Sequence, residues 1–272
     1  SVALSDGWTG PEGERPNPAF SRGAAGVPGE NADAGEEVEF LYGRAPSSRD
    51  RGPPEIEASR SSHSLDPAET DDFEREVGEG SYLLTFEGST NGRTWTLNYV
   101  LFKSAYSMRV TEPRGRGYDE YVAVAQNEGI ATELAELLDE QARQNGFTDP
   151  RMKSELVIDW IQSFPYVTDD VSTGYDQYTK FPTETLAEVE GDCEDTSVLL
   201  TSVLSTQPFG YGMVLIQPPE HMMAGISGTD LPGTYFESRG RDYYVIETTG
   251  EGWGVGDMPE LYQGTRASIY HV

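Results

Sequence analysis

Apolar and polar residues alternate in two neighbouring segments of the first half of the chain. Tyr82–Phe86 and Trp95–Leu101 have the period-two pattern of a strand with one buried face. Asn91-Gly92 lies between them, and this dipeptide favours the tight turn of a hairpin. We therefore predict a β-hairpin and expect the ordered domain to begin near Phe73.

A helical repeat of apolar residues follows the hairpin. One predicted helix has its apolar face on Ile130, Leu134, Leu137 and Leu138 and ends at Asn145-Gly146. A second runs from about Pro150 to a break at Phe164-Pro165. We expect these two helices to precede a tyrosine-rich loop.

The second half of the chain changes from a helical to a strand pattern. A helix is predicted from about Cys193 to Ser205, with Val198, Leu199 and Val203 on its buried face. Strands are predicted near Met213–Ile216, Met222–Ile226, Thr234–Glu237 and Tyr243–Thr248. Helices followed by an antiparallel sheet indicate an α+β fold.

The first 72 residues lack such periodicity. They are rich in Gly, Pro, Ala, Ser and Glu, and this composition buries too little apolar surface to offset the entropy of ordering the chain. We predict a disordered acidic tail or linker over 1–72 and one domain over 73–272. A short docking segment at Phe40–Tyr42 is the alternative for part of the tail.

The net charge of the chain indicates which partners and which environment to expect. The chain has 19 Lys+Arg against 47 Asp+Glu, a formal net charge of -28, and lysine occurs only at Lys103, Lys153 and Lys180. Such a surface repels phosphates, so nucleic acid and anionic membranes are not expected partners. Acidic residues lie along the whole chain, which indicates adaptation to high salt, as in a halophile, rather than one acidic tail.

Location is predicted from two weaker features. No run of 18 apolar residues occurs in the chain, so none is expected to span a membrane. Because the chain begins with Ser1 and a long linker precedes the domain, we favour a cell-surface or extracytoplasmic location with a signal or anchor upstream. The oligomeric state is not predicted.

The sequence EGDCEDTSVLL contains Cys193, the one cysteine of the chain, so no internal disulfide can form. Gly191 and Asp192 are predicted to supply a turn and a cap, which places the thiol at a helix start where the helix dipole favours thiolate. Glu194 and Asp195 would raise the thiol pKa, so activation has to come from another group. The alternative is that Cys193 is a small buried apolar residue.

Two further residues complete a candidate catalytic set. Of three histidines, only His221 lies in predicted core sequence, where PPEHMMAGI places it at the start of a strand. A base beside a thiol gives the activated pair needed for covalent acyl chemistry. Glu247 ends the strand of RDYYVIETTG on the face of Tyr243 and Val245, where a carboxylate is costly unless it is paired.

These segments resemble the transglutaminase-like superfamily of papain-like thiol enzymes. The match is closest to an archaeal branch, through FPYVTDDVSTGYDQYTKFPTETL, GDCEDTSVLL, PPEHMMAGI and YYVIETTGEGWGVGDMP. The resemblance implies a Cys-bearing helix packed on an antiparallel sheet, with Cys193 as nucleophile, His221 as base and Glu247 as third member. Two departures are a Glu where the family commonly has Asp, and Met223 where it has an aromatic residue.

The resemblance also implies an oxyanion donor. The backbone N–H of Cys193 is one candidate, and Gln177, Tyr178 and Trp253 are candidates for the oxyanion site or pocket. Packing of the tyrosine-rich loop is the alternative for these aromatic residues. Asp169, Asp170 and Asp176 lack the ligand spacing of a calcium loop, so we assign no metal, and no cofactor is expected.

The expected activity is attack on an amide bond of a protein or peptide substrate. Hydrolysis by a peptidase or amidase is favoured over crosslinking, because the sequence shows no site for an acceptor amine. A catalytically silent module that binds peptide or protein through the same groove is the alternative. A purely structural surface domain would leave the combination of Cys193 and His221 unexplained.

Overall fold

A computed structural model describes the backbone of Glu36–Val38 and residues 64–272 apart from 175 and 176; of Asp170 it describes only the backbone. The helices are α1 (Lys103–Val110), α2 (Tyr118–Glu128), α3 (Ile130–Gln144), α4 (Pro150–Gln162), α5 (Asp169–Ser172), α6 (Pro182–Glu188) and α7 (Cys193–Ser205). The strands are β1 (Glu36–Val38), β2 (Ala68–Glu69), β3 (Phe73–Val77), β4 (Ser81–Thr90), β5 (Arg93–Phe102), β6 (Met213–Gln217), β7 (Met223–Gly228), β8 (Tyr235–Ser238), β9 (Arg241–Ile246) and β10 (Ala267–His271). Antiparallel sheets combined with helices confirm the α+β class.

The larger sheet has six strands in the order β1-β10-β6-β7-β9-β8, and all its pairs are antiparallel. Within it, Ala224 of β7 pairs with Ile246 of β9. The start of β7 and the end of β9 therefore lie at the same end of the sheet. Any side chains just before β7 and just after β9 are brought together there, although they are far apart in sequence.

Helix α7 packs on β6 and β7 of this sheet and is covered by α2, α3, α4 and α6. Almost every one of its residues is buried, from Cys193 to Leu204. Its polar residues, such as Ser197 and Ser202, are buried together with the apolar ones because the helix has neighbours on all sides. The first turn of α7 is thereby fixed near the start of β7, where Cys193 and Met222 share one buried cluster.

The predicted hairpin is confirmed by β4 and β5, which pair over their whole length. Asn91 and Gly92 have φ values of 49° and 73°, as the two central residues of a twisted hairpin turn require. On the buried face, Phe86 packs edge-on against Trp160 of α4, with ring centroids 5.8 Å apart. This contact joins the four-stranded sheet β2-β3-β4-β5 to the helices.

The two predicted helices are confirmed as α3 and α4, but two helices that were not predicted, α1 and α2, precede them. In α2 the buried positions are Tyr118, Tyr121, Val122 and Ala125, a helical spacing carried largely by tyrosines rather than aliphatic residues. Helix α5 and the first residues of α6 lie inside the predicted tyrosine-rich loop, and β10 was not predicted. The four predicted strands of the second half are found within two residues of their expected bounds.

The predicted tail, 1–72, contains two strands of the structure. Glu36–Val38 forms β1 and pairs with β10, while Ala68–Glu69 forms β2 and pairs with β3. The possible docking segment at Phe40–Tyr42 lies outside the described residues, as do the other residues before 64 apart from β1. Disorder there stays a prediction. Over the part of the chain that the structure describes, no helix is long and apolar enough to cross a membrane.

Candidate active site

The end of the sheet where β7 begins and β9 ends carries a paired imidazole and carboxylate. His221 lies two residues before β7, and Glu247 directly follows β9. His221 Nε2 and Glu247 Oε2 are 2.8 Å apart, and the two side chains are only 10% and 1% exposed. The register between β7 and β9 thus makes the contact that the sequence analysis predicted between these residues.

Glu247 is held as a buried carboxylate by donors on both oxygens. Thr249 donates to Oε1 through its backbone N–H at 2.8 Å and its hydroxyl at 2.6 Å, while His221 contacts Oε2. Burial favours the neutral acid, but these hydrogen bonds and the charge of His221 outweigh it and lower the pKa of Glu247 below its ordinary value. Glu247 is therefore ionised at neutral pH.

The segment that follows Glu247 is tied to α4 through one amide side chain. Gln162 Nε2 donates to the backbone carbonyls of Glu247 and Trp253, at 2.8 and 2.9 Å. Gln162 Oε1 accepts from the N–H of Gly252 at 3.1 Å. These three bonds fix the loop that carries the carboxylate, and Trp253 takes part through its backbone.

Cys193 is the first residue of α7, as predicted, and is 8% exposed. Two details of the preceding turn differ from the prediction. Asp192 occupies the cap position, but its side chain makes no capping hydrogen bond; its backbone carbonyl instead accepts from the hydroxyl of Thr196 at 2.8 Å. At Gly191 a Cβ would lie 2.7 Å from the Cβ of Asp195, so glycine is required by close packing.

The thiol of Cys193 lies beside the residue that follows His221. The backbone of Met222 lies close enough to the thiol to lower its pKa, and both residues belong to one buried cluster. The thiol's own proton goes to a neighbouring carboxylate, since Sγ donates to Glu194 Oε2 at 3.2 Å. Among the described residues, Cys193 and His221 make no direct hydrogen bond in this conformation.

Burial is the main reason why the pKa of Cys193 is raised well above its ordinary value, and the carboxylates of Glu194 and Asp192 add to it. The sequence analysis expected the helix start to favour thiolate and expected Glu194 to oppose it. In this conformation burial and the neighbouring carboxylates outweigh the effect of the helix start, and Cys193 is a neutral thiol at neutral pH.

Tyr262 covers the imidazole and was not predicted. It ends a 3₁₀ turn, Glu260–Tyr262, and its ring stacks on His221 with centroids 4.5 Å apart and planes 7° from parallel. Its position in the polar segment ELYQG gives no periodic or motif signal, so the sequence did not identify it.

Two more tyrosines lie near the thiol. Burial raises the pKa of Tyr166 to about 12, and the neighbouring Cys193 and Asp192 contribute to this shift. Tyr166 is 55% exposed, whereas Tyr118 is buried in the same cluster as Cys193. The thiol thus has one buried and one exposed tyrosine among its neighbours.

The remaining predicted pocket residues lie in different surroundings. The hydroxyl of Tyr178 is buried, donates to Glu184 Oε1 at 3.0 Å and accepts from Arg114. This network gives Tyr178 the packing role that was the alternative prediction. Gln177 is exposed, and Trp253 is half-buried.

No family model and no curated protein that we compared with this sequence matches it. The function is therefore argued from the geometry of Cys193, His221 and Glu247.

Proposed function

We propose that the chain is a transglutaminase-like thiol enzyme with a papain-like core, which acts on amide bonds of peptide or protein substrates through Cys193, His221 and Glu247. The observation that carries this proposal is the buried 2.8 Å contact between His221 Nε2 and Glu247 Oε2, next to the residue that contacts the thiol. An imidazole fixed by a carboxylate beside a cysteine at a helix start is the arrangement expected of a nucleophile, a base and an orienting acid.

The carboxylate determines which nitrogen acts as the base. Because ionised Glu247 only accepts hydrogen bonds, Nε2 of His221 carries the proton that points to it. In the neutral ring the lone pair is then on Nδ1, so Nδ1 is the atom that receives a proton from the thiol. Stacking by Tyr262 keeps the ring in the plane that serves the contact with Glu247.

The raised pKa of Cys193 favours proton transfer during attack over a preformed thiolate-imidazolium pair. The thiol leaves Glu194, passes its proton to His221 Nδ1, and Sγ forms a bond to the amide carbonyl carbon. His221 then gives that proton to the departing amine as the C–N bond breaks. Water next attacks the thioester with His221 as base, the C–S bond breaks, and His221 returns the proton to Sγ as the acid product leaves. Hydrolysis is proposed over crosslinking because the sequence indicates no site for an acceptor amine.

One observation favours a second candidate, a catalytically silent module that binds peptide or protein. Cys193 is nearly buried, and its Sγ donates to Glu194 rather than to His221. If this arrangement persists when a ligand binds, no thiolate forms.

Acyl transfer to the thiol separates the two candidates without knowledge of the substrate. The protein in molar KCl is mixed with p-nitrophenyl acetate, and the nitrophenolate burst and the mass of the peptide that contains Cys193 are measured. The enzyme gives a burst of one equivalent and an acetyl group on Cys193. Since the chain has one cysteine, Cys193→Ala is an unambiguous control for thiol acylation.

His221→Ala is expected to lower the burst rate at least about a hundredfold, the usual contribution of a general base. Circular dichroism of each variant checks that the fold is retained. A wild-type protein that gives no burst and no adduct, or a His221→Ala variant that acylates at the wild-type rate, rules out the proposed mechanism and favours the binding module.

A further inference from the structure

Three aspartates meet behind the first turn of α7. Asp169 begins α5, Asp192 precedes α7, and Asp195 is its third residue. One carboxylate oxygen from each lies within 4.8 Å of the other two. The three residues are 3%, 8% and 1% exposed, so this is a buried cluster and differs from the solvated carboxylates common on so acidic a chain.

Two oxygens of this cluster lack hydrogen-bond donors among the described residues. Asp192 Oδ1 and Asp195 Oδ2 are both inaccessible to solvent and accept no hydrogen bond. The other oxygen of Asp195 accepts from the backbone N–H of Lys180 at 2.7 Å. A buried carboxylate oxygen without a donor is costly, so each orphan oxygen indicates a missing positive partner.

The ammonium group of Lys180 lies nearby but neutralises the cluster only in part. Lys180 Nζ is 3.9 Å from Asp195 Oδ2 but only 3.1 Å from Glu188 Oε2, and it also donates to the carbonyl of Glu190 at 3.2 Å. The ammonium group therefore hydrogen-bonds to Glu188 and Glu190, and it acts on the Asp195 carboxylate only through its charge. The start of α7 contributes about half a positive charge, which is less than three carboxylates carry.

We infer that Asp169, Asp192 and Asp195 bind a hard divalent cation, with Ca²⁺ as the best fit. Carboxylate oxygens are the ligands this class of ion takes, at about 2.3 to 2.6 Å for Ca²⁺. Oxygens on opposite sides of such an ion are about 5 Å apart, so a cluster within 4.8 Å fits inside one coordination shell.

Without a cation the cluster is electrostatically unfavourable. Three carboxylates that are buried within 4.8 Å of one another repel each other. Shared protons are the competing way to neutralise the cluster. The sequence did not show this site because Asp192 and Asp195 lie about two dozen residues beyond the Asp169-Asp170 pair, and only the fold brings the two segments together.

The test is calcium titration of the full chain, stripped of metal and kept in molar KCl to screen weak surface binding. Calorimetry gives the stoichiometry, and thermal melts give the Tm. The test variant is Asp192→Asn with Asp195→Asn. Its matched control is Asp71→Asn with Asp72→Asn, which removes the same charge from two exposed neighbouring aspartates. Magnesium is titrated in parallel.

A cation site predicts one saturable calcium per chain and a Tm rise of about 5 to 10 °C at a hundredfold excess over Kd. The control keeps both effects, and the test variant loses both. Equal calcium effects in the test variant and the control overturn the inference. The absence of saturable one-to-one binding in wild type also overturns it, even if the test variant does not fold. Neither readout depends on acylation of Cys193, so failure of the proposed enzyme leaves this result unchanged.

Discussion

His221 and Tyr262 stack face to face, with ring centroids 4.5 Å apart and planes 7° from parallel. One face of the imidazole is thereby covered by a phenol ring, while its Nε2 edge contacts Glu247. The ring can then move only by losing packing, a hydrogen bond, or both. Tyr262 is a positioning residue for the proposed base, although it reacts with nothing itself.

Replacement of Tyr262 tests this role. Tyr262→Phe retains a ring of nearly the same shape and is expected to keep the acetylation rate of Cys193 within about twofold, whereas Tyr262→Ala is expected to lower it about tenfold, the equivalent of 1.4 kcal/mol. The burst rate is measured across pH for both variants. If alanine and phenylalanine give the same profile, stacking has no role in positioning His221.

Glu247 gives a pH-dependent prediction for stability. Its folded pKa is lower than its unfolded value of about 4.3, so its ionised form stabilises the fold. This contribution is present above the unfolded pKa and is lost as the pH falls through the folded pKa. We expect Glu247→Gln to lower the free energy of unfolding at neutral pH by about 1.5 to 3 kcal/mol, and the difference from wild type to shrink in acid.

Urea unfolding at neutral and acidic pH measures this difference. Glu237→Gln removes one charge from an exposed position on β8 and serves as the matched control. A difference between Glu247→Gln and wild type that does not depend on pH would show that the ionised carboxylate is not the stabilising species.

The sequence predicted where Cys193, His221 and Glu247 lie within the helices and strands better than it predicted how those elements pair. Cys193, His221 and Glu247 each lie at the boundary of an element, and the turn and strand patterns that mark those boundaries are local. The register that pairs Ala224 with Ile246 is a long-range property, so local patterns predicted the ends of β7 and β9 but not their pairing.

The parts that the sequence did not predict depend on tertiary contacts. Tyr118 of α2 packs against Tyr270 of β10, and Tyr121 packs against Phe181, the residue before α6. Their amphipathic side chains gave no clear apolar stripe. The protonation of Cys193 depends on its final burial and on where the side chain of Glu194 points. Neither follows from residue spacing, so the sequence indicated that the helix start and Glu194 have opposite effects on the thiol but not which effect is larger.

The protonation state of Cys193 leads to a prediction for the reactivity of its thiol. Because burial, Glu194 and Asp192 raise the pKa of Cys193, its labelling by iodoacetamide is expected to rise with a midpoint above about pH 8.5, the pKa of a free thiol. Glu194→Gln removes the hydrogen-bonding carboxylate and is expected to move the midpoint to lower pH. Labelling is followed by mass spectrometry in molar KCl.

Glu220→Gln is the control, since Glu220 is exposed and is not among the groups that shift the pKa of Cys193. A wild-type midpoint well below that of a free thiol, with no change in Glu194→Gln, would mean that Cys193 forms an ion pair at rest.

Gly191 tests how closely the turn before Cys193 is packed. A Cβ at this position would lie 2.7 Å from Cβ and 3.0 Å from Oδ2 of Asp195. Gly191→Ala is therefore expected to destabilise the fold by about 1 to 3 kcal/mol and to slow acetylation of Cys193. Gly80→Ala is the control, because a Cβ there meets no atom within 4 Å. Equal stability of the two variants in urea would show that the turn shifts without cost.

The balance of 47 acidic against 19 basic residues predicts that stability rises with salt. Repulsion among carboxylates opposes the compact state, and salt screens it over a Debye length of about 10 Å at 0.1 M and about 3 Å at 1 M. The Tm should therefore rise steeply at low KCl and more slowly above about 1 M. Removal of two exposed charges by Asp71→Asn with Asp72→Asn should raise the Tm in dilute buffer and reduce the gain from salt.

Thermal melts against KCl, repeated with NaCl at equal ionic strength, measure this response. Screening depends on ionic strength, so both salts should give the same initial slope, whereas a difference between them would indicate binding of a particular ion. A Tm that is flat or highest in dilute buffer would contradict adaptation to high salt. In that case the carboxylates must be neutralised within the folded chain, by ion pairs or by shared protons such as those considered for Asp192 and Asp195.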